Sequence, residues 1–135
     1  MKKIKKKRMR LNIILLISSI VMVIFVLCIT RLTSSYYHDE ERSLFMNNNT
    51  FSFNCPQDYK YIHIQLSCES ENPIKYSIVN PAGKVVQTAE MLKKSEFFYN
   101  STKGMWKVNF EVNKEVKVNY KLWEGNLKFM DPLEK

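Results

Sequence analysis

The first thirty-one residues carry no acidic side chain, and the rest of the chain carries no surplus of basic ones. Of 21 Lys+Arg, the opening stretch takes Lys2, Lys3, Lys5, Lys6, Lys7, Arg8, Arg10 and Arg31, which leaves 13 against 13 Asp+Glu in residues 32–135. A nucleic-acid binder needs a basic face on its folded part, so this balance excludes that class despite a net charge of +8. Catalytic frames are also missing: there is no Gly-x-Ser-x-Gly, His-Glu-x-x-His or Cys-x-x-Cys. A general base needs a partner within hydrogen-bond reach, and none is framed around His63, which is expected to sit exposed on a strand. Glu69 and Glu71 read as solvating turn charges. His38 stands with Asp39, Glu40 and Glu41, but adjacent positions rarely converge on one ion. No enzyme activity, metal, cofactor or small-molecule ligand is expected. Neither an internal repeat nor a low-complexity segment is present.

The basic cluster in residues 1–10 runs directly into an apolar segment, Leu11 to Thr30, whose polar members are Asn12, Ser18, Ser19 and Thr30. About twenty helical residues at roughly 1.5 Å each span roughly 30 Å, the thickness of a bilayer's hydrocarbon core. A flank this basic stays in the cytoplasm, and it also meets anionic lipid. The segment is longer than the apolar part of a secretory signal, and Thr33-Ser34-Ser35 is a poor cleavage site, so 11–30 reads as an uncleaved transmembrane signal-anchor. Cys28 follows Val26 and Leu27 rather than a small residue, which argues against lipidation there. Residues 31–49 are polar and mixed and read as a juxtamembrane stalk that breaks at Asn47-Asn48-Asn49.

From Thr50 the pattern has period two. Phe51, Phe53 and Cys55 alternate with polar residues, as do Ile62, Ile64, Leu66 and Cys68, then Ile74, Tyr76 and Ile78. Trp106, Val108, Phe110 and Val112 follow, then Val116, Val118, Tyr120 and Leu122. Such alternation puts one face on a core and the other in water. Val85-Val86 and Phe97-Phe98-Tyr99 read as two further strands. Asn80-Pro81-Ala82-Gly83 and Ser101-Thr102-Lys103-Gly104 are turn chemistry, and Asn113-Lys114 reads as a hairpin between the last two long strands. The fold class expected is all-β: about seven antiparallel strands in a jelly-roll-like β-sandwich over 50–125, preceded by one N-terminal transmembrane helix. Trp106 is the expected core anchor, and 126–135 is the expected loose tail, with the alternative that Leu127, Phe129 and Met130 add a final strand or cover an edge.

Cys55 and Cys68 both fall in the inward phase, so outside the cytoplasm they are a candidate disulfide closing about 13 residues, on the order of 3 kcal/mol if unstrained. Two buried thiols are the alternative. If the last two strands pair, Lys107, Asn109 and Glu111 lie beside Lys117, Asn119 and Lys121. With Trp123, which either caps the sandwich or is exposed, these residues make a candidate binding face. Mixed charge with amides suits a wet protein or glycan contact, and it is also what any solvated sheet face looks like. Asn48-Asn49-Thr50 and Asn100-Ser101-Thr102 match the glycosylation sequon, but the Lys, Asn and Ile richness is typical of an AT-rich bacterial genome.

The runs IKYSIVNPAGKVV, FFYNSTKGMWKVNFEV and VKVNYKL resemble a pattern of bacterial pre-peptidase C-terminal domains and, more distantly, of Golgi-dynamics (GOLD) domains. In it a strand leads into a Pro-x-Gly turn, and a later Gly-x-Trp/Tyr opens an alternating strand. The resemblance covers roughly residues 60–122 and implies a small jelly-roll-like sandwich in a non-catalytic accessory or recognition role. Calcium positions of that family find no Asp cluster here, only Asn80 at the turn, so no metal is carried over. The expected function is a membrane-anchored extracytoplasmic interaction module, an accessory or sensor subunit that contacts the bilayer through 11–30 and binds an envelope or secreted protein. A pilin-like or secretion-apparatus structural subunit is the alternative, against which count the missing Gly-Phe-x-x-x-Glu processing site and the missing amphipathic helical extension.

Overall fold

The computed structural model describes residues 2–45 and 49–134, with side chains from Asn12 onward. The basic side chains of Lys2 to Arg10, and Asn47 and Asn48 of the expected stalk break, lie outside the described residues. The chain divides into two compact units between Ser34 and Ser35.

The first unit is one helix, α1 (Lys2–Thr33). Within it Asn12–Thr33, 22 residues of mean hydropathy 3.1, is long and apolar enough to cross a membrane, and none of it is buried against protein. The hydroxyls of Ser19, Thr30 and Thr33 donate to the carbonyls of Leu16, Leu27 and Ile29 within the helix. Polar groups satisfied in this way need no water, which is what a hydrocarbon environment demands. The helix supports a single-pass membrane protein.

The second unit holds eight strands among the described residues: β1 (Ser35–Leu44), β2 (Thr50–Cys55), β3 (Tyr61–Cys68), β4 (Ile74–Val79), β5 (Val85–Met91), β6 (Lys94–Asn100), β7 (Gly104–Glu111) and β8 (Val116–Gly125). They form two four-stranded sheets, in the order β1-β8-β3-β6 and β2-β7-β4-β5. All pairings are antiparallel. This is the strand order of a jelly roll, in which most connections cross from one sheet to the other. Between the sheets lies one core, with Phe51, Tyr76, Trp106, Phe110 and Tyr120 among its largest members. Trp106 is wholly buried and donates its Nε1–H to the Thr102 carbonyl at 2.9 Å, so the indole pins a turn as well as filling the centre.

All seven expected strands are present, and the eighth, β1, lies where the sequence reading placed a stalk. Its inward positions explain why. Tyr36, His38, Glu40 and Arg42 face the second sheet, and only Leu44 is fully buried, so no apolar alternation betrays the strand. The Asn80 turn forms as expected: Gly83 N–H donates to the Asn80 carbonyl at 2.9 Å, with Gly83 at φ 77°. Gly104 at φ 123° lies under Pro81, where a Cβ would come within 2.9 Å of the Pro81 ring. The two turns are therefore packed together.

The Asn113-Lys114 hairpin is not formed. β7 and β8 belong to different sheets, and the segment between them crosses from one sheet to the other. Alternation says that one side of a strand is buried, but not which sheet it joins.

Candidate interaction face

On the outer face of the first sheet, register puts four side chains abreast in each row. Tyr37, Trp123, His63 and Phe98 stand opposite one another across β1, β8, β3 and β6. The next row is Asp39, Lys121, Gln65 and Glu96, and the one after it Glu41, Asn119, Ser67 and Lys94. An aromatic row thus borders two rows of mixed charge and amide.

The charged rows are loosely tied. Lys117 is 3.9 Å from Glu41, Lys121 is 3.6 Å from Asp39, and Lys94 is 2.7 Å from Glu96. Asn119 donates to Asp39 at 3.1 Å and Gln65 to Glu96 at 2.9 Å. The bonds from Lys94 and Gln65 hold the Glu96 carboxyl below the ordinary carboxylate range. Exposed pairs of this kind contribute about 0.2–1 kcal/mol each, so a partner's groups can replace them at little cost. The Asn119 side-chain oxygen is buried without a hydrogen-bond partner among the described residues. An open concavity of about 540 Å³ lies over Gln65, Ser67, Lys94, Lys117, Asn119 and Lys121.

The middle of the aromatic row is covered, while Tyr37 is 47% and Phe98 38% exposed. The tail forms 3-10 turns at Lys128–Met130 and Pro132–Glu134, the second packed on β8. Between them Asp131 meets His63, with Oδ2 2.5 Å from Nδ1. The other oxygen, Oδ1, accepts the Leu133 N–H at 2.8 Å. Lys128 Nζ lies 4.6 Å from the Phe98 ring centroid. His63 is therefore 4% exposed and Trp123 1%. His63 keeps its expected outward phase but is buried, not exposed, because a segment expected to be loose lies over it. Trp123 is a cap rather than an exposed contact. Its ring rests on Gly125, where a Cβ would come within 2.4 Å. No periodicity in the sequence links position 131 to position 63.

The other candidate residues separate. Lys107, Asn109 and Glu111 lie on β7 in the second sheet and Lys117, Asn119 and Lys121 on β8 in the first, so the two rows occupy opposite outer faces. The single expected face is corrected to its β8 half, joined by residues of β1, β3 and β6.

Cys55 and Cys68 are free. Cys55 Sγ lies 3.2 Å from Ser101 Oγ, near the Tyr61 end of β3, whereas the Cys68 N–H bonds Lys93 at the other end. Seven residues of strand separate those ends by about 23 Å, and a disulfide needs its Cα atoms within roughly 4.4–6.8 Å. The candidate bridge is incompatible with this fold. Burial, with the neighbouring Glu124, pushes the Cys55 thiol up to about 11, so it stays protonated at neutral pH. Glu124 is fully buried, accepts from Ser101 Oγ at 3.3 Å, and has its Oε2 unpartnered among the described residues. Burial raises its pKa more than the Cys55 and Ser101 bonds lower it.

At the β1 edge, Glu40 takes bonds from Tyr120 at 3.0 Å, from His38 at 3.2 Å and from Arg42. Desolvation pushes its carboxyl up, but the three partners outweigh it and hold the pKa below the ordinary value. Among the described residues no group of three or more His, Cys, Asp or Glu is placed to hold a metal ion.

No family model matches this sequence, and no curated protein matches it significantly. Solved structures do resemble it in fold. A Bacillus licheniformis lipase in its propeptide form is 14% identical, with a TM-score of 0.49, over 70% of this chain and 22% of that one. The pre-peptidase C-terminal domain of a Bacillus anthracis collagenase is 15% identical, with a TM-score of 0.43, over 67% of this chain and 89% of that one. A structure from Bacillus endospore appendages, disulfide-linked pili, is 7% identical, with a TM-score of 0.44, over 70% and 91%. A pre-peptidase C-terminal domain is thus among the β-rich folds that this sandwich resembles, and identities this low speak of fold alone.

Proposed function

We propose that the chain is a single-pass membrane protein with a cytoplasmic N-terminus, and that its β-sandwich works outside the cytoplasm as a tethered interaction module for an envelope or secreted protein. The apolar helix supports the anchor. The basic cluster before it, with no acidic residue up to Arg31, supports the orientation. The observation that carries the binding role is the outer face of the first sheet, where Lys117, Lys121, Asp39 and Glu41 are only loosely paired. Groups held this loosely are suited to a polar, hydrated contact. A pilin-like subunit is disfavoured because α1 ends at Thr33 and β1 begins at Ser35, which leaves no room for an amphipathic helical extension.

A photocrosslinking residue at position 119, compared with one at position 109 on the opposite face, tests the binding role in native membranes. The expected result is a discrete adduct from 119 that Lys117→Glu with Lys121→Glu abolishes, and none from 109. Equal adducts from both faces, or none from 119, contradict it.

A further inference from the structure

The tail lies on the first sheet as an external ligand would. The backbone hydrogen bonds of its first turn, Met130 N–H to Leu127 and Asp131 N–H to Lys128, are internal, and where it leaves β8 the Asn126 side chain accepts the Lys60 N–H at 3.1 Å. Side chains hold it instead: Asp131 on His63, and Lys128 on Phe98. The His63 side chain is 6% exposed and that of Asp131 0%. A buried imidazole needs a polar partner. The sheet supplies aromatic rings on either side of it, Trp123 and Phe98, while nearby Glu96 is engaged by Lys94 and Gln65. A carboxylate from outside the sheet therefore completes the site, and the chain's own tail brings it. The tail does not fill the space, since an open concavity of about 480 Å³ remains beside it over His63, Lys94, Phe98 and Leu133.

We infer that Trp123, His63 and Phe98 form a docking site for an extended segment of a partner protein, one that brings a carboxylate to His63 and an apolar side chain to the rings, and that the tail occupies this site in cis until the partner displaces it. The inference rests on the interaction-face reading and specifies its partner's chemistry. A tail tethered by a few residues competes at an effective concentration in the millimolar range. A successful partner must therefore add contacts, and the adjoining Lys121 and Asn119 rows supply them.

The probe is a fluorescein-labelled peptide of residues 126–134, added to the full-length protein in detergent and read by anisotropy. Asp131→Asn keeps the chain but loosens the tail, and it should bind the peptide saturably, at least tenfold tighter than the wild type does. A peptide with Asn in place of its Asp should bind at least tenfold more weakly, and His63→Gln added to Asp131→Asn should remove binding. A chain ended after Leu127 repeats the test should Asp131→Asn melt without a cooperative transition. The inference is overturned when the opened protein binds no better than wild type, or when the Asn peptide binds equally well. Peptide binding that fails while the position 119 adduct persists sinks the docking site alone. Intact peptide binding with no adduct sinks the proposed partner face instead.

Discussion

Glu124 is buried at the Cys55 and Ser101 end of the core with one carboxylate oxygen unpartnered among the described residues. Its folded-state pKa is raised, so its contribution to stability is complete below about 4.5 and is lost as pH rises through the raised value. Glu124→Gln should flatten that pH dependence and raise the melting temperature at pH 8. Thermal melts of both proteins from pH 4 to 9 check this; parallel curves would deny it. Gly104→Ala should cost about 1–3 kcal/mol, because the residue needs a positive φ and its Cβ meets Pro81. Three thiols should titrate in the denatured, unreduced protein, since Cys28, Cys55 and Cys68 are all free. At this scale the sequence reading found the Trp106 anchor and the Gly83 turn, because an inward aromatic and an Asn-Pro-x-Gly run are local signals. It placed both cysteines in the inward phase and, of a bridge or two buried thiols, favoured the bridge, since phase carries no information about which end of the sandwich a residue occupies.

Among the elements, β1 is the least apolar strand and the most exposed to chance. It lies at the edge of its sheet and bonds only β8. An edge strand with flat apolar faces invites pairing with another chain, and inward-pointing charges blunt that tendency. His38, Glu40 and Arg42 occupy those positions. Replacing all three by Val should leave stability unchanged or about 1 kcal/mol higher, yet make the protein associate in a concentration-dependent way, as sedimentation would detect. The depressed Glu40 pKa means that its contribution is present above about 4.5 and is lost as pH falls through the lower value. Acid should therefore release β1 first, seen as early amide exchange in Ser35–Leu44 with β3 still protected. Seven strands were legible because their inward rows are apolar; this one was not, because its inward row is ionic. The partition into sheets was equally hidden: the short β7–β8 connection looks like a hairpin and crosses the sandwich instead. The tail's position depends on Asp131 meeting His63 across 68 positions of sequence, a pairing that no window of local pattern can see.

For the molecule as a whole, composition divides cleanly between the two units. The surplus of positive charge lies at the two ends of α1, and the sandwich is balanced. The proposed role depends on that sandwich lying on the far side of the membrane from the basic cluster. Two single-cysteine variants test this most directly, each made with Cys28, Cys55 and Cys68 replaced by Ser or Ala: Lys114→Cys in the exposed β7–β8 connection and Lys3→Cys in the basic cluster. Intact cells are treated with a membrane-impermeant maleimide, then permeabilised and treated again. An extracytoplasmic sandwich gives labelling of Lys114→Cys in intact cells and of Lys3→Cys only after permeabilisation. Labelling of Lys3→Cys in intact cells, with Lys114→Cys protected until the membrane is opened, would contradict the proposed topology and the function built on it.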